Sequence, residues 1–210
     1  FSEKIEAIPI LNEYDRLTSI AWRRTSQIRI GSYLIGETSP IFVIAEIGNN
    51  HNGDKDLAKK LIDAAVGAGA NCAKFQMRDM DHLYGESGDF TNSGKDLGAE
   101  YTLDLLTRFQ LKPEKMFEAF DYCKSKGKVP LCTPWDIDSL LILESYGMEA
   151  YKVASADLTN TELLEALVET NKPLICSTGM STEAEIKRTA KFFNEKQTSY
   201  VMLHCNSTYP

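Results

Sequence analysis

Two lysines stand in surroundings that do not suit a lysine. Lys74 lies in the run Cys72-Ala73-Lys74-Phe75, and Lys152 in Ala150-Tyr151-Lys152-Val153. A charge inside an apolar run needs a partner, so each lysine either serves chemistry or is held in a structural ion pair. Other polar residues recur in the same way, at the end of a short apolar run: Glu46, Gln76, Thr133, Ser155 with Asp157, Ser177 with Thr178, and His204 with Ser207 and Tyr209. Two ammonium groups among several hydroxyls, in a low-dielectric mouth, suit an oxyanion such as phosphate or carboxylate. A carboxylate beside them could orient a sugar hydroxyl or move a proton.

Each of these residues also has a plainer reading. Glu46 could close an ion pair, Thr133 could cap a turn, and Ser177-Thr178-Gly179 could be the turn before a helix. His204 ends an apolar run and fits a hydrogen-bonded core histidine; His51 fits a turn of amide residues, and His82 a loop. Three histidines so widely spread do not make a complete metal site.

The elements that must position these residues follow from periodicity. Ile41–Ala45 reads as a strand buried on both faces that delivers Glu46 to its end, followed by the turn Gly48–Gly53 and a helix from about Lys55 with its apolar positions at Leu57, Leu61, Ala64 and Ala68. Short strands are then expected at Ala73–Phe75, Val129–Cys132, Ala150–Ala154, Pro173–Cys176 and Tyr200–His204. Helices separate the later ones. One opens at Pro113 and stops at Gly127, one is capped by Asp136 and stops at Gly147, one spans about Thr161–Thr170, and one opens on the capping box Thr182…Glu185. Ile28–Ile35, centred on Gly31, could form a small hairpin. The polar stretch from Arg78 to about Glu100 is a long loop, a kind usually functional or mobile.

Six strands alternating with helices fit either an open doubly wound sheet or a (β/α)8 TIM barrel. No G-x-G-x-x-G follows any strand, which counts against a dinucleotide fold. Polar residues end every strand, as they do at the C-terminal face of a barrel. The expectation is therefore an α/β fold, a (β/α)8 TIM barrel ending after about its sixth strand. The chain opens on Phe1 and stops at Pro210 directly after a strand-like run, so a piece of a longer protein is expected, with residues 1–28 as an N-terminal extension or linker and 29–210 as the N-terminal part of the barrel. Such a piece would expose two strand edges and is expected to be poorly stable or to self-associate.

Composition narrows the partners. The chain is 43% hydrophobic and 25% charged with a formal charge of −7, so its bulk surface should attract neither nucleic acid nor an anionic membrane. No apolar run approaches the roughly 18 residues of a membrane span. Five cysteines without a C-x-x-C pair read as small buried hydrophobes in a reducing compartment, with the cytoplasm as default.

The segments AEIGNNHNG at 45–53, KFQ at 74–76, CTPWD at 132–136, YKVASAD at 151–157, STGM at 177–180 and LHCNSTYP at 203–210 together resemble the ordered motifs of the sialic acid (N-acetylneuraminate) synthase family, with its legionaminate and pseudaminate synthase relatives. The resemblance covers about residues 30–210. It implies a (β/α)8 barrel followed by a small antifreeze-like domain. It also implies a homodimer when full-length, and condensation of phosphoenolpyruvate with the open-chain aldehyde of an N-acylated amino sugar, with release of phosphate. By position, Lys74, Thr133, Lys152, Ser155 and Ser177 resemble the phosphoenolpyruvate-binding set, with Ser207 and Tyr209 at substrate-side positions and Glu46 and Gln76 as sugar-side contacts. Glu46, Lys152 and Asp157 would be the catalytic groups. A divalent metal, Mn2+ or Mg2+, is implied, but the family's two metal-binding histidines fall beyond Pro210 and His204 is not one of them. Where many members have Gly-Ser-Gly-Glu, this chain has Ala154-Ser155-Ala156-Asp157, a carboxylate shorter by one methylene. Two other readings stand beside this one: a Schiff-base aldolase with Lys152 or Lys74 as nucleophile, and a non-catalytic barrel that serves as a binding module.

Overall fold

The computed structural model describes residues 7–11, 17–22, 27–80 and 106–207. Two antiparallel hairpins come first. Strand β1 (Ala7–Leu11) pairs with β2 (Leu17–Trp22), and β3 (Ile28–Ile30) pairs with β4 (Tyr33–Ile35) across the turn at Gly31, as expected for that stretch. The main sheet is parallel and six-stranded, built from β5 (Ile44–Gly48), β6 (Cys72–Met77), β7 (Val129–Pro134), β8 (Tyr151–Val153), β9 (Leu174–Ser177) and β10 (Tyr200–Leu203). The strands lie side by side in chain order, each pairing only with its sequence neighbours. That is the order of a (β/α)8 barrel wall, and the sheet curls as half of one. A doubly wound sheet reverses its order at a switch point, so that alternative falls away.

Among the described residues, the helices that join the strands are α1 (Lys55–Gly67), α2 (Pro113–Ser125), α3 (Ile137–Tyr146), α4 (Thr161–Glu169) and α5 (Glu183–Glu195). Their ends carry the expected signals. Pro113 occupies the first turn of α2. Asp136 Oδ1 accepts from Ser139 N at 2.6 Å, Gly147 ends α3 in the left-handed region, and Thr182 with Glu185 forms the full capping box of α5.

Strand alternation divides the core in two. Ala73, Phe75, Met77, Cys132, Tyr151, Val153, Leu174 and Cys176 pack outward against the helices, on Ile62, Met116, Phe120, Leu143, Leu167 and Phe193 among others. Cys72, Val129, Leu131, Ala150 and Ile175 form the inner cluster together with Ile28 and Ile30. The β3–β4 hairpin thus covers the base of the inner face. A Cβ on Gly31, at φ +57°, would stand 2.9 Å from Val129 Cγ2, which shows how closely it is applied. Further along the same strands the inward positions become Lys74 and Gln76, Thr133, Lys152 and Ser177. The inner face is apolar at its base and polar at its C-terminal end.

The first strand differs from the sequence reading. It spans Ile44–Gly48 rather than 41–45, and it is not buried on both faces: Ile41 and Val43 are exposed, Ile44 and Ala45 half-buried, and only Ile47 and Gly48 buried. β5 is an edge strand with a single partner, β6, so hydrophobicity alone placed it too early. Glu46 therefore lies within the strand and not after it. The other strands lie within two or three residues of expectation. Of the long loop expected at 78–100, residues 81–100 lie outside the described residues, as do His82 and Tyr209.

Four cysteines, Cys72, Cys123, Cys132 and Cys176, are buried, and all five are free thiols. Burial pushes the Cys123 thiol up to about 11 and Cys176 up to about 12. They pack as small hydrophobes. Among the described residues no helix is long and apolar enough to cross a membrane.

Candidate active site

The polar residues at the strand ends form two linked groups. The first joins β5, β6 and β7. Glu46 and Lys74 are register partners on adjacent strands, and the Lys74 ammonium meets the Glu46 carboxylate at 2.8 Å. Lys74 is nearly enclosed, with 8% of its side chain exposed, whereas Glu46 is 57% exposed. The pair is thus open to solvent on its acidic side only. Gln76, two residues on, is the register partner of Thr133. Thr133 is buried and its hydroxyl has no hydrogen-bond partner, an arrangement that normally costs stability unless a ligand completes it.

The second group joins β8, β9 and β10. Lys152 donates to Ser177 Oγ at 2.5 Å and to Val153 O at 2.6 Å. Ser155 opens a short 3-10 turn, Ser155–Asp157, and its Oγ accepts from Gly179 N at 3.1 Å. In both serines the oxygen is taken as acceptor, so the hydroxyl proton is left to donate. With Thr133 and the ammonium groups this makes a set of hydrogen-bond donors at neighbouring strand ends, which suits an anion. Thr178 is used differently: its hydroxyl donates to Leu203 O at 2.8 Å and ties β9 to β10. Ser207 packs on the same turn, since a Cβ on Gly179 would stand 2.7 Å from Ser207 Oγ and 3.1 Å from Cys205 O.

Electrostatics couple the two groups. Burial first, and then the positive charge of Lys74, lower Lys152 to about 8. Two cations sharing one field with little solvent favour an anionic guest that relieves both. Asp157 is buried, and burial raises its carboxyl; its weak bond from Asn160 Nδ2 at 3.4 Å and the Arg78 charge pull the other way, while Asp136 adds to the rise. Its Oδ2 has no hydrogen-bond partner. A carboxyl raised in this way takes up a proton more readily than a solvated one.

Two histidines, His51 and His204, lie among the described residues. His204 is exposed. His51 is fully buried in the turn, where its Nδ1 accepts from Gly53 N at 3.1 Å and its ring stacks on Phe75; burial lowers its pKa. Among the described residues no three His, Cys, Asp or Glu side chains come together in a group that could hold a metal ion. The described donor set therefore does not fit the divalent metal that the resemblance implies, and no step below is routed through one.

Two residues that border the site carried no sequence signal of their own. The Arg78 guanidinium lies over Trp135, 4.1 Å from the ring centroid, and donates to Gln76 Oε1 at 3.0 Å. Arg78 reads as the first residue of a loop and Trp135 as part of a turn. Continuing the alternation 74-76-78 and 131-133-135 by one step beyond the strands would have found both.

A curled parallel sheet in barrel order, with polar side chains at its strand ends, defines a class of TIM-barrel-like protein. Within that class the chain belongs to the NeuB family, whose model matches residues 61–210. It is 35% identical over 185 residues to the uncharacterized protein MJ1065 of Methanocaldococcus jannaschii, an alignment covering 88% of this chain and 51% of the relative. It is 31% identical over 176 residues to the N,N'-diacetyllegionaminic acid synthase of Campylobacter jejuni, covering 80% and 52% respectively. The crystal structure of the N-acetylneuraminic acid (sialic acid) synthetase of Leptospira borgpetersenii in complex with citrate superposes with a TM-score of 0.78 at 31% identity, over 89% of this chain and 61% of that one. The chain spans about half the length of the curated relatives it matches.

Proposed function

We propose that this chain is the N-terminal part of a synthase barrel, residues 29–210, that condenses phosphoenolpyruvate with the open-chain aldehyde of an N-acylated amino sugar of the N-acetylmannosamine type. The product is a nonulosonic acid of the sialic type, and phosphate is released. The observation that carries the reading is the pairing of Lys152 with Ser177, beside Lys74 and a buried unpaired Thr133. It suits a small polyanion, and membership of the NeuB family supports a condensation of this general kind.

In this reading Lys74, Lys152, Ser177, Ser155 and Thr133 hold the carboxylate and phosphate of phosphoenolpyruvate. Glu46, exposed beyond Lys74, and Gln76 face the sugar. The methylene carbon of phosphoenolpyruvate attacks the aldehyde carbon, forming the new C–C bond as the C=O π pair moves to the aldehyde oxygen, which takes up a proton equivalent to the one the added water later gives up. Positive charge develops at the adjacent enol carbon, and water adds there as Asp157 takes a proton. The tetrahedral intermediate then breaks its C–O bond to phosphate. Holding two reactants in register can supply about 7–11 kcal/mol of the barrier at the upper limit. The Mn2+ or Mg2+ implied by the resemblance would need ligands from outside the described residues. The expected homodimer and cytoplasmic setting belong to the same proposal.

A second reading has one observation in its favour. A lysine lowered to about 8 is a competent Schiff-base nucleophile, so a lysine aldolase competes. Phosphate release from phosphoenolpyruvate by the full-length protein, with N-acetylmannosamine or a related amino sugar and Mn2+, separates the two. Sugar-dependent release, lost by at least about a hundredfold in Lys152→Ala, supports the synthase. Borohydride trapping of a keto acid on a lysine, without phosphate release, supports the aldolase and defeats the synthase reading.

A further inference from the structure

Arg78 and Trp135 have no part in the reading above, yet they frame the corner in which Gln76 stands. Arg78 follows Gln76 by two residues and Trp135 follows Thr133 by two, so alternation sets all four on one face. The guanidinium is seated on the Trp135 ring and donates through Nη2 to Gln76 Oε1. A guanidinium has donors only, so the amide can meet it only through its oxygen. The Gln76 Nε2 is thereby turned to the opposite side. That side is the Glu46 side: a Cβ on Gly48 would stand 3.2 Å from Gln76 Nε2 and 3.0 Å from Glu46 Oε1. Gly48, at φ +52°, keeps this space open.

We infer that Arg78 is a positioning residue for the amino-sugar substrate: seated on Trp135, it fixes the Gln76 amide so that its N–H groups face the mouth beside Glu46 and donate only to a lone-pair oxygen of the sugar. The inference rests on the condensation reading and adds polarity to one of its contacts. Gln76 would otherwise be free to present either end of its amide. With Arg78 in place the Gln76 position is a committed donor and Glu46 beside it a committed acceptor. Together they read the direction of a hydroxyl or carbonyl group on the guest.

The test uses the full-length protein and phosphate-release kinetics with varied amino sugar and varied phosphoenolpyruvate. Arg78→Met fills the space over Trp135 without a donor. Its sugar KM should rise about tenfold, the scale of one lost oriented hydrogen bond, with the phosphoenolpyruvate KM changed by less than about twofold. Arg78→Lys donates to the same oxygen and should recover most of the sugar KM. Gln76→Glu keeps an acceptor for Arg78 but removes the N–H donors, and should raise the sugar KM by at least about tenfold with the fold intact. If Arg78→Met does not fold, the Lys and Glu variants carry the same comparison. An unchanged sugar KM in Arg78→Met or Gln76→Glu, or a parallel rise in both KM values, overturns the role of Arg78 and leaves the condensation standing. A folded wild-type protein that releases no phosphate with any amino sugar overturns both.

Discussion

Lys152 shows how one residue can be costly to the fold and yet central to the proposed site. Its ammonium is held to Ser177 and Val153 while burial and Lys74 lower it to about 8. The unfolded chain keeps the proton up to the ordinary lysine range, so it binds more protons than the folded chain between about 8 and 10.5. Stability from this group therefore rises with pH across that window and is lowest below it. Binding runs the opposite way, because an anion needs the ammonium. The kcat/KM for phosphoenolpyruvate should fall as pH rises through about 8, and Lys152→Met should abolish turnover while raising stability by about 1–2 kcal/mol, measured by denaturant unfolding of the full-length protein. The sequence made Lys152 visible because a lysine interrupts an apolar strand. It could not make Arg78 visible, because an arginine at the start of a polar loop looks like any other. Its meaning comes from Trp135, more than fifty residues later in the chain.

At the scale of elements, the β3–β4 hairpin matters more than its six paired residues suggest. Ile28 and Ile30 pack into the inner cluster with Cys72, Val129, Leu131, Ala150 and Ile175, and Ile30 is wholly enclosed. Ile30→Ala should cost about 2–5 kcal/mol, as truncations in close-packed cores do, and thermal unfolding of the full-length protein would register it. The helices and later strands were legible because their caps and periods are local: Pro113, Asp136, Gly147 and the Thr182–Glu185 box act through neighbours within a turn. The start of β5 was not. Ile41-Phe42-Val43 has the composition of a buried strand, but its pairing depends on where β6 lies, and the ladder begins at Ile44↔Cys72. The sequence could suggest the β3–β4 hairpin itself from Gly31. That it caps the base of the inner face is a tertiary fact with no local signal.

At the scale of the whole sheet, among the described residues β5 and β10 each pair with one neighbour and stand at the two edges of the strand order. Open parallel edges invite pairing with another chain. Residues 1–210 expressed alone should associate, which sedimentation velocity would detect as a concentration-dependent rise in mass; a sharp, cooperative unfolding of a monomer would contradict this. The covered base has a different consequence. With the hairpin packed under the inner face, the floor of the sheet is fixed and depth along a strand becomes a ruler. Along β6 the nearly enclosed Lys74 lies nearest that floor, and Gln76 and Arg78 lie progressively further from it. In the proposed reaction the anion held at Lys74 would therefore lie beneath the sugar met at Gln76.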